Sequence, residues 1–355
     1  MRRRVVFISD AWEFAGAERY LVVLAAGLAD SWECVAFVPD RAPDESVRNL
    51  EGAGARVVRV PGLGRVPRPA VISRLASELR RARPALVHAN LTDQGDGLNA
   101  LAASLLARVP VVATLHVVIP DRTRAREALS QRALASCRAL IAVSEATAAY
   151  ARSRGLSAHV VRNGLPPTEP AEGARRALGG DTGFLVGGVG RVSAQKGWDV
   201  LCRAARLVRR ERTDVSFVVV GDGEERAALT GKPGCSDVRF LGYRPQASSL
   251  LVGMDLLAMP SRFEGLPLVA IEAMHAGIPV VAARVGGVPE VLGDCGVLIP
   301  PEDPRALADA ILVLAGDDDR RKQLAERARE RACTLFSPQR MAEETAAVYE
   351  AALLR

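Results

Sequence analysis

Aromatic residues make up only 4% of this 355-residue chain, and lysine occurs only three times, at Lys196, Lys232 and Lys322. With so few rings available, the cores have to be built from Ala, Val and Leu, a composition that suits parallel sheets buried on both faces by helices. Long hydrophobic runs are missing too. The best 18-residue window, Leu266 to Ala283, is broken by Glu272, His275 and Pro279, so no membrane-spanning helix is expected. The basic start at Arg2 to Arg4 is followed only by Val5 to Ile8 before Asp10, so no secretory leader is expected. Six cysteines (Cys34, Cys137, Cys202, Cys235, Cys295, Cys333) stand apart without a C-x-x-C pair. They read as small buried residues in a reducing, cytoplasmic compartment, not as a zinc or disulfide framework.

What is present points to an ordinary globular protein of two domains. The length is too great for one core, and 49% apolar with 25% charged residues excludes disorder. The net charge of +6 is uneven. Residues 1–165 hold 23 arginines, no lysine and 15 acids, whereas the remainder carries 24 basic and 26 acidic residues. A solvated arginine-rich surface would explain this, as would an anionic acceptor or membrane surface met by the first half. Arg65, Arg68, Arg74, Arg80, Arg81 and Arg83 gather around one helix, and Arg122, Arg124, Arg126, Arg132 and Arg138 around another. A nucleic-acid partner is not expected, because the basic half offers few aromatics for base stacking and no recognised binding module. No feature specifies an oligomeric state.

Short β-branched runs alternate with amphipathic or Ala-rich stretches from end to end. In the first half the predicted strands are 5–9, 34–38, 56–60, 86–89, 111–115, 140–143 and 159–161, with six helical stretches between them. The segment Gly164 to Gly173 carries three prolines and no periodicity, as an interdomain linker does. A second series follows, with strands 184–189, 216–220, 238–240, 256–259, 280–283 and 297–299, and a last helix at 338–354. Such alternation predicts an α/β fold of two Rossmann-like, doubly wound parallel-sheet domains. The expected boundaries are 1–165 with 338–355, and 166–337. Strand carboxyl ends, and therefore ligand sites, are expected along a shared cleft.

Ser261 to Glu290 is the most informative segment. A strand ends at Pro260, a polar loop follows, and Pro267 suits the first position of a helix. The amides around Leu266 and Leu268 then form a helix N-terminus of the kind that binds a diphosphate. Glu264 and Glu272 stand eight positions apart, the first facing the sugar end of a ligand and the second within reach of ribose hydroxyls. Gly188 to Gly197 lacks the third glycine of a G-x-G-x-x-G loop, so hydride transfer is poorly supported. It does place Arg191 and Lys196 at a strand end, where two fixed cations would stabilise charge growing on a departing phosphate.

Gly221 sits in a tight turn, and Tyr243 and Arg244 follow a strand end near where a base would lie. In the first half Gly16 permits close backbone approach at a helix start. His88 and His116 are placed at strand carboxyl ends, and Asn90 adjoins the first of them.

An ordered set of segments carries a family resemblance. It runs AGAER at Ala15–Arg19, VHAN at Val87–Asn90, TLH at Thr114–His116, AVSE at Ala142–Glu145 and VRNG at Val161–Gly164. It continues with GRVSAQKG at Gly190–Gly197, VGDG at Val220–Gly223, FEGLPLVAIEAM at Phe263–Met274, GIPVVA at Gly277–Ala282 and GGVPE at Gly286–Glu290. Over nearly its whole length the chain resembles retaining glycosyltransferase family 4, of the GT-B fold. The resemblance implies transfer of a hexose-type sugar, with retention, from a UDP- or GDP-sugar to a hydroxyl of a cell-envelope, polysaccharide or natural-product acceptor.

It also implies site roles. Arg191 and Lys196 would hold the diphosphate, Glu272 the ribose and Glu264 the sugar hydroxyls. Gly16, Gly190, Gly221, Gly265, Leu266 and Pro267 would complete the donor site. His116 would stand beside the reacting sugar, with His88 and Asn90 as candidates on the acceptor side. Family members need no cofactor and no catalytic metal, and no paired-aspartate motif stands at a strand end here. The chain departs from the family at Ala15, where many members have a glycine. Other readings are a GT-B nucleotide-sugar epimerase, a phosphorylase, or a lipid glycosyltransferase held peripherally at the inner membrane face.

Overall fold

A computed structural model describes residues 2–119, 124–180 and 183–354, and the side chains of all of these except residues 124–127. Arg122, and the side chains of Arg124 and Arg126, lie outside the described residues. The chain forms two compact units, Met1–Leu165 with Ser337–Arg355, and Pro166–Phe336.

The first unit begins β1 (Arg3–Ser9), α1 (Gly16–Leu28), β2 (Trp32–Pro39), α2 (Asp44–Gly52), β3 (Arg56–Val60) and α3 (Pro69–Ala82). Next come β4 (Leu86–Asp93), α4 (Leu98–Ala107), β5 (Val111–Val117), α5 (Arg124–Ala135), β6 (Ala139–Ala142), α6 (Glu145–Ser153) and β7 (His159–Val160). The strands pair in parallel in the order β3-β2-β1-β4-β5-β6-β7. Side chains alternate across the sheet, so each strand feeds two cores. Val5 and Phe7 of β1 pack with Tyr20, Leu21 and Leu24 of α1 and with Tyr349 of the last helix, Pro338–Leu354. Val6 and Ile8 point the other way, onto Leu75 and Leu79 of α3. Each fully buried Leu or Phe contributes about 1.5–3 kcal/mol. The last helix therefore completes a core begun by the first strand. Gly27 of α1 meets Ala342 on it so closely that a Cβ at 27 would overlap that side chain.

The second unit contains α7 (Ala174–Ala177), β8 (Phe184–Val189), α8 (Trp198–Glu211), β9 (Val215–Val220), α9 (Arg226–Thr230), β10 (Val238–Phe240) and β11 (Leu256–Met259). It ends with α10 (Leu268–Ala276), β12 (Val280–Ala283), α11 (Val288–Leu292), β13 (Val297–Ile299), α12 (Pro304–Gly316) and α13 (Asp318–Leu335). Its parallel strand order is β10-β9-β8-β11-β12-β13. Both sheets are of the Rossmann-like, doubly wound kind.

Several details depart from expectation. β4 runs on to Asp93, past the predicted end at Ala89, because its polar tail still pairs with β5 as far as Val117. α11 begins within the glycine-led segment Gly286–Glu290, whose backbone reads as flexible in the sequence. Its Pro289 is tolerated because the first helical turn needs no intrahelical amide donor. Ser248 to Val252, where strand–helix alternation calls for an α-helix, lies in a 3-10 segment, Ala247–Gly253. The cysteine reading is corrected: Cys202 on α8 and Cys235 are joined in a disulfide. They lie 33 residues apart, a spacing without a motif, and only the packing of α8 on the turn Pro233–Cys235 brings them together. Among the described residues no helix is long and apolar enough to cross a membrane.

Candidate active site

In the second sheet β8 lies between β9 and β11, so the chain winds outward in opposite directions from this point. A switch of this sort opens a crevice at the strand carboxyl ends, where the loops after β8 and β11 part. Those two loops carry nearly half of the residues singled out by sequence, Arg191, Lys196 and Glu264 among them.

The loops are tied to each other first through the backbone. The Arg262 amide donates to the Gln195 carbonyl at 2.8 Å. The Gln195 side-chain amide donates to the Phe263 carbonyl at 3.1 Å, and the Arg262 guanidinium to the Ala194 carbonyl at 2.6 Å. Gly197, at φ +66°, lies so close to the Pro260 carbonyl that a Cβ would overlap it. On this frame Lys196 Nζ meets Glu264 Oε1 at 2.6 Å, and the same oxygen accepts from Ser261 Oγ at 2.7 Å. The pair is substantially withdrawn from water, with side-chain exposures of 19% and 7%. A cation and a carboxylate thus occupy one spot although their positions differ by 68 in sequence.

Neighbouring loops close around the pair. Gly286, at φ +49°, packs on the Glu264 carbonyl, and the Gly287 amide donates to the Gly265 carbonyl at 2.9 Å. Gly190 and Gly221 touch through their backbones, the Val192 amide donates to Asp222 O at 2.9 Å, and the Gly221 amide to Gly242 O at 2.9 Å. Tyr243 and Arg244 follow directly and are exposed. Arg191 exposes its side chain, and its carbonyl accepts from Trp198 Nε1 at 2.8 Å. Leu266 is buried, and Pro267 precedes α10 as its N-cap in an extended conformation, one place earlier than expected. Glu272 is buried in the second turn of α10. Ser261, which donates to the Glu264 carboxylate, and Gln195, which ties the two loops, were not singled out by sequence although each lies within a segment that was.

In the first unit, α1 starts at Gly16. Ala15 takes an extended conformation (φ −127°), so alanine replaces glycine there without left-handed strain. The Glu18 carboxylate accepts from the Ala15 amide at 3.2 Å and from Ser9 Oγ at 3.2 Å, securing the turn. Burial pushes the Glu18 carboxyl above its usual range, against those hydrogen bonds.

His88, Asn90, Thr114 and His116 alternate along β4 and β5, and on adjacent parallel strands this spacing gives them one face of the sheet. His116, at the end of β5, keeps 9% exposure and packs edge-on against Tyr20, ring centroids 4.7 Å apart. His88 is corrected. It sits in the middle of the lengthened β4 with no exposed surface, and its Nδ1 lies 2.6 Å from Tyr349 Oη on the last helix. A side chain so enclosed ties helix to sheet and offers nothing to an acceptor. Asn90, 1% exposed, is likewise enclosed. Burial pulls both imidazoles down to about 3, with His116 adding to the effect at His88.

Comparison with known proteins agrees with this geometry. Residues 14–169 match the model for Glycosyltransferase Family 4, and residues 183–317 the one for Glycosyl transferases group 1. The chain is 36% identical over 178 residues to a D-inositol 3-phosphate glycosyltransferase of Corynebacterium urealyticum, covering 45% of this chain and 42% of that relative. It thus spans less than half the length of that protein. With the alpha-maltose-1-phosphate synthase of Mycolicibacterium smegmatis it shares 31% identity over 296 residues, 71% of this chain and 76% of the other. The crystal structure of Anabaena HepE in complex with UDP-glucose superposes with a TM-score of 0.84 at 24% identity, covering 98% and 99% of the two chains. The loops that hold Lys196 against Glu264 fall in the second matched region, and His116 falls in the first. The chain is a member of glycosyltransferase family 4, built on the two-domain GT-B fold.

Proposed function

We propose that the protein transfers a hexose-type sugar from a nucleoside diphosphate-sugar to a hydroxyl acceptor, with retention at the anomeric carbon and without a metal ion. One observation carries this reading: Lys196 and Glu264 are paired beside the amino end of α10, at the switch point of the second sheet. A helix start and an adjacent cation together suit a diphosphate. When the donor enters, Lys196 and Arg191 take the phosphate charge, Glu264 turns to the sugar hydroxyls, and Glu272 receives the ribose.

In the reaction the bond from the anomeric carbon to the diphosphate oxygen breaks and a bond to the acceptor oxygen forms on the same face. The acceptor proton passes to the leaving phosphate. Charge accumulates on that phosphate only as the bond breaks, so fixed cations stabilise the transition state more than the bound donor. To the first unit this reading gives the acceptor, with His116 as the group that meets a sugar hydroxyl. The arginine surplus of that unit favours an anionic acceptor or an anionic surface bearing it.

The UDP-glucose held by HepE supports UDP as the first nucleotide to try. Calorimetric titration with UDP, GDP and ADP, followed by turnover of the matching sugar donors, tests the proposal. A new glycoside together with free nucleotide is expected. An altered sugar still on its nucleotide, or sugar phosphate release, would instead indicate epimerase or phosphorylase chemistry. Failure of all three nucleotides to bind at millimolar concentration sinks the donor site.

A further inference from the structure

Asn90 is enclosed in the first unit, and its two amide ends face different groups. Nδ2 lies 3.0 Å from the carbonyl oxygen of Ala17, in the first turn of α1. Oδ1 lies 2.8 Å from Nε2 of His116 at the end of β5. The first contact fixes the orientation of the amide, because a reversed amide would set its oxygen against the Ala17 carbonyl, acceptor on acceptor. With Oδ1 so directed, the imidazole can complete the second contact only by carrying a proton on Nε2.

We infer that Asn90 is a positioning residue: it holds His116 with the proton on Nε2, leaves Nδ1 as a bare acceptor for a sugar hydroxyl, and ties that ring to the start of α1. This rests on the reading of His116 given above. Burial independently favours the neutral ring. Tyr20, packed edge-on against His116, has its hydroxyl 3.3 Å from Thr114 Oγ1, so the ring is wedged between α1 and the sheet as well as hydrogen bonded. A neutral imidazole presenting a lone pair suits a hydroxyl and repels a phosphate oxygen. His116 therefore discriminates for the sugar or alcohol part of a substrate.

The chain has four histidines, so the tautomer can be read directly. Long-range proton–nitrogen spectra of histidine-labelled protein at pH 7, with His116 assigned by its loss in His116→Gln, should show protonated Nε2 and bare Nδ1. A proton on Nδ1, or a charged ring, overturns the inference whatever the activity. The functional half needs two variants. Asn90→Asp keeps an oxygen toward His116 and, enclosed as it is, has to carry a proton on its other oxygen to donate to the Ala17 carbonyl, whereas Asn90→Ala removes both contacts.

Asn90→Ala should lose on the order of tenfold to a hundredfold in kcat, as when an outer partner of a histidine is removed. UDP affinity should change less than threefold. The aspartate variant should retain the Nε2 proton and more of the rate, and it carries the test if the alanine variant fails to fold. If His116→Gln impairs transfer while both Asn90 variants match wild type, positioning by Asn90 is refuted and the role of His116 survives. If His116→Gln itself transfers normally, the underlying reading fails instead.

Discussion

Lys196 and Glu264 neutralise each other in the ligand-free protein, and each has consequences for the other's replacement. Lys196→Ala removes a preformed charge stabiliser, so turnover should fall on the order of 10²–10³-fold. It also strands a nearly buried carboxylate that keeps, among the described residues, Ser261 as its side-chain partner, which destabilises the fold. Combining it with Glu264→Gln should restore most of the lost Tm and none of the lost turnover. Recovery of both, or of neither, contradicts the division of roles. A second residue-scale prediction concerns His88 and His116, which burial keeps neutral down to about pH 3. An unfolded chain protonates them near pH 6.5. Their contribution to stability is thus fully present above that pH and lost as the pH falls toward 3. Between pH 7 and 5 the Tm of wild type should drop more than that of His88→Phe; equal slopes would refute this.

At the scale of elements, the turn after β12 reaches across to the loop after β11, and it does so only because Gly286 has no side chain. Its left-handed backbone and its contact with the Glu264 carbonyl leave no room for a methyl group. Gly286→Ala should cost roughly 1–3 kcal/mol in urea unfolding and weaken UDP binding, because the loop that presents Glu264 has to shift. Unchanged binding would mean the loops are independent. The elements themselves were largely legible in the sequence, since β-branched runs bounded by Gly and Pro mark buried parallel strands without help from tertiary context. The failures occurred where local and distant signals disagree. Val288 to Leu292 gives no helical signal, because two glycines precede it and Pro289 lies inside it, yet packing makes it helical. β4 reads as ending at Ala89 because Asn90, Thr92 and Asp93 are polar, yet its neighbour continues the ladder. Motif chemistry likewise named Lys196 and Glu264 separately, but their pairing, the disulfide of Cys202 with Cys235, and the enclosure of Asn90 and His88 arise from register and helix packing, which no local pattern encodes.

For the whole molecule, the proposed chemistry assigns all phosphate neutralisation to side chains, so transfer should proceed at the same rate in EDTA as in magnesium. A rate that collapses in EDTA and returns with added metal would overturn that part of the proposal. The uneven charge of the chain yields a further test. Several arginines of the first unit are engaged within it, as Arg74 is with the Pro61 carbonyl and Arg80 with that of Leu106, both at 2.7 Å, but both remain exposed and charged. The protein should co-sediment with vesicles rich in anionic lipid at low ionic strength and be released by salt. Failure to sediment at low salt would leave the surplus as a solvated surface.

The last helix supplies Met341, Val348 and Tyr349 to the core that β1 and α1 begin. During synthesis the first half of the chain therefore leaves the ribosome with an apolar face it cannot cover, and keeps it uncovered until Pro338–Leu354 emerges. The second unit, contained in a single uninterrupted stretch, has no such wait. Growing chains should become protease-resistant in the second unit before the first, and truncation ahead of Pro338 should expose the amino-terminal half to aggregation rather than the half beside the cut.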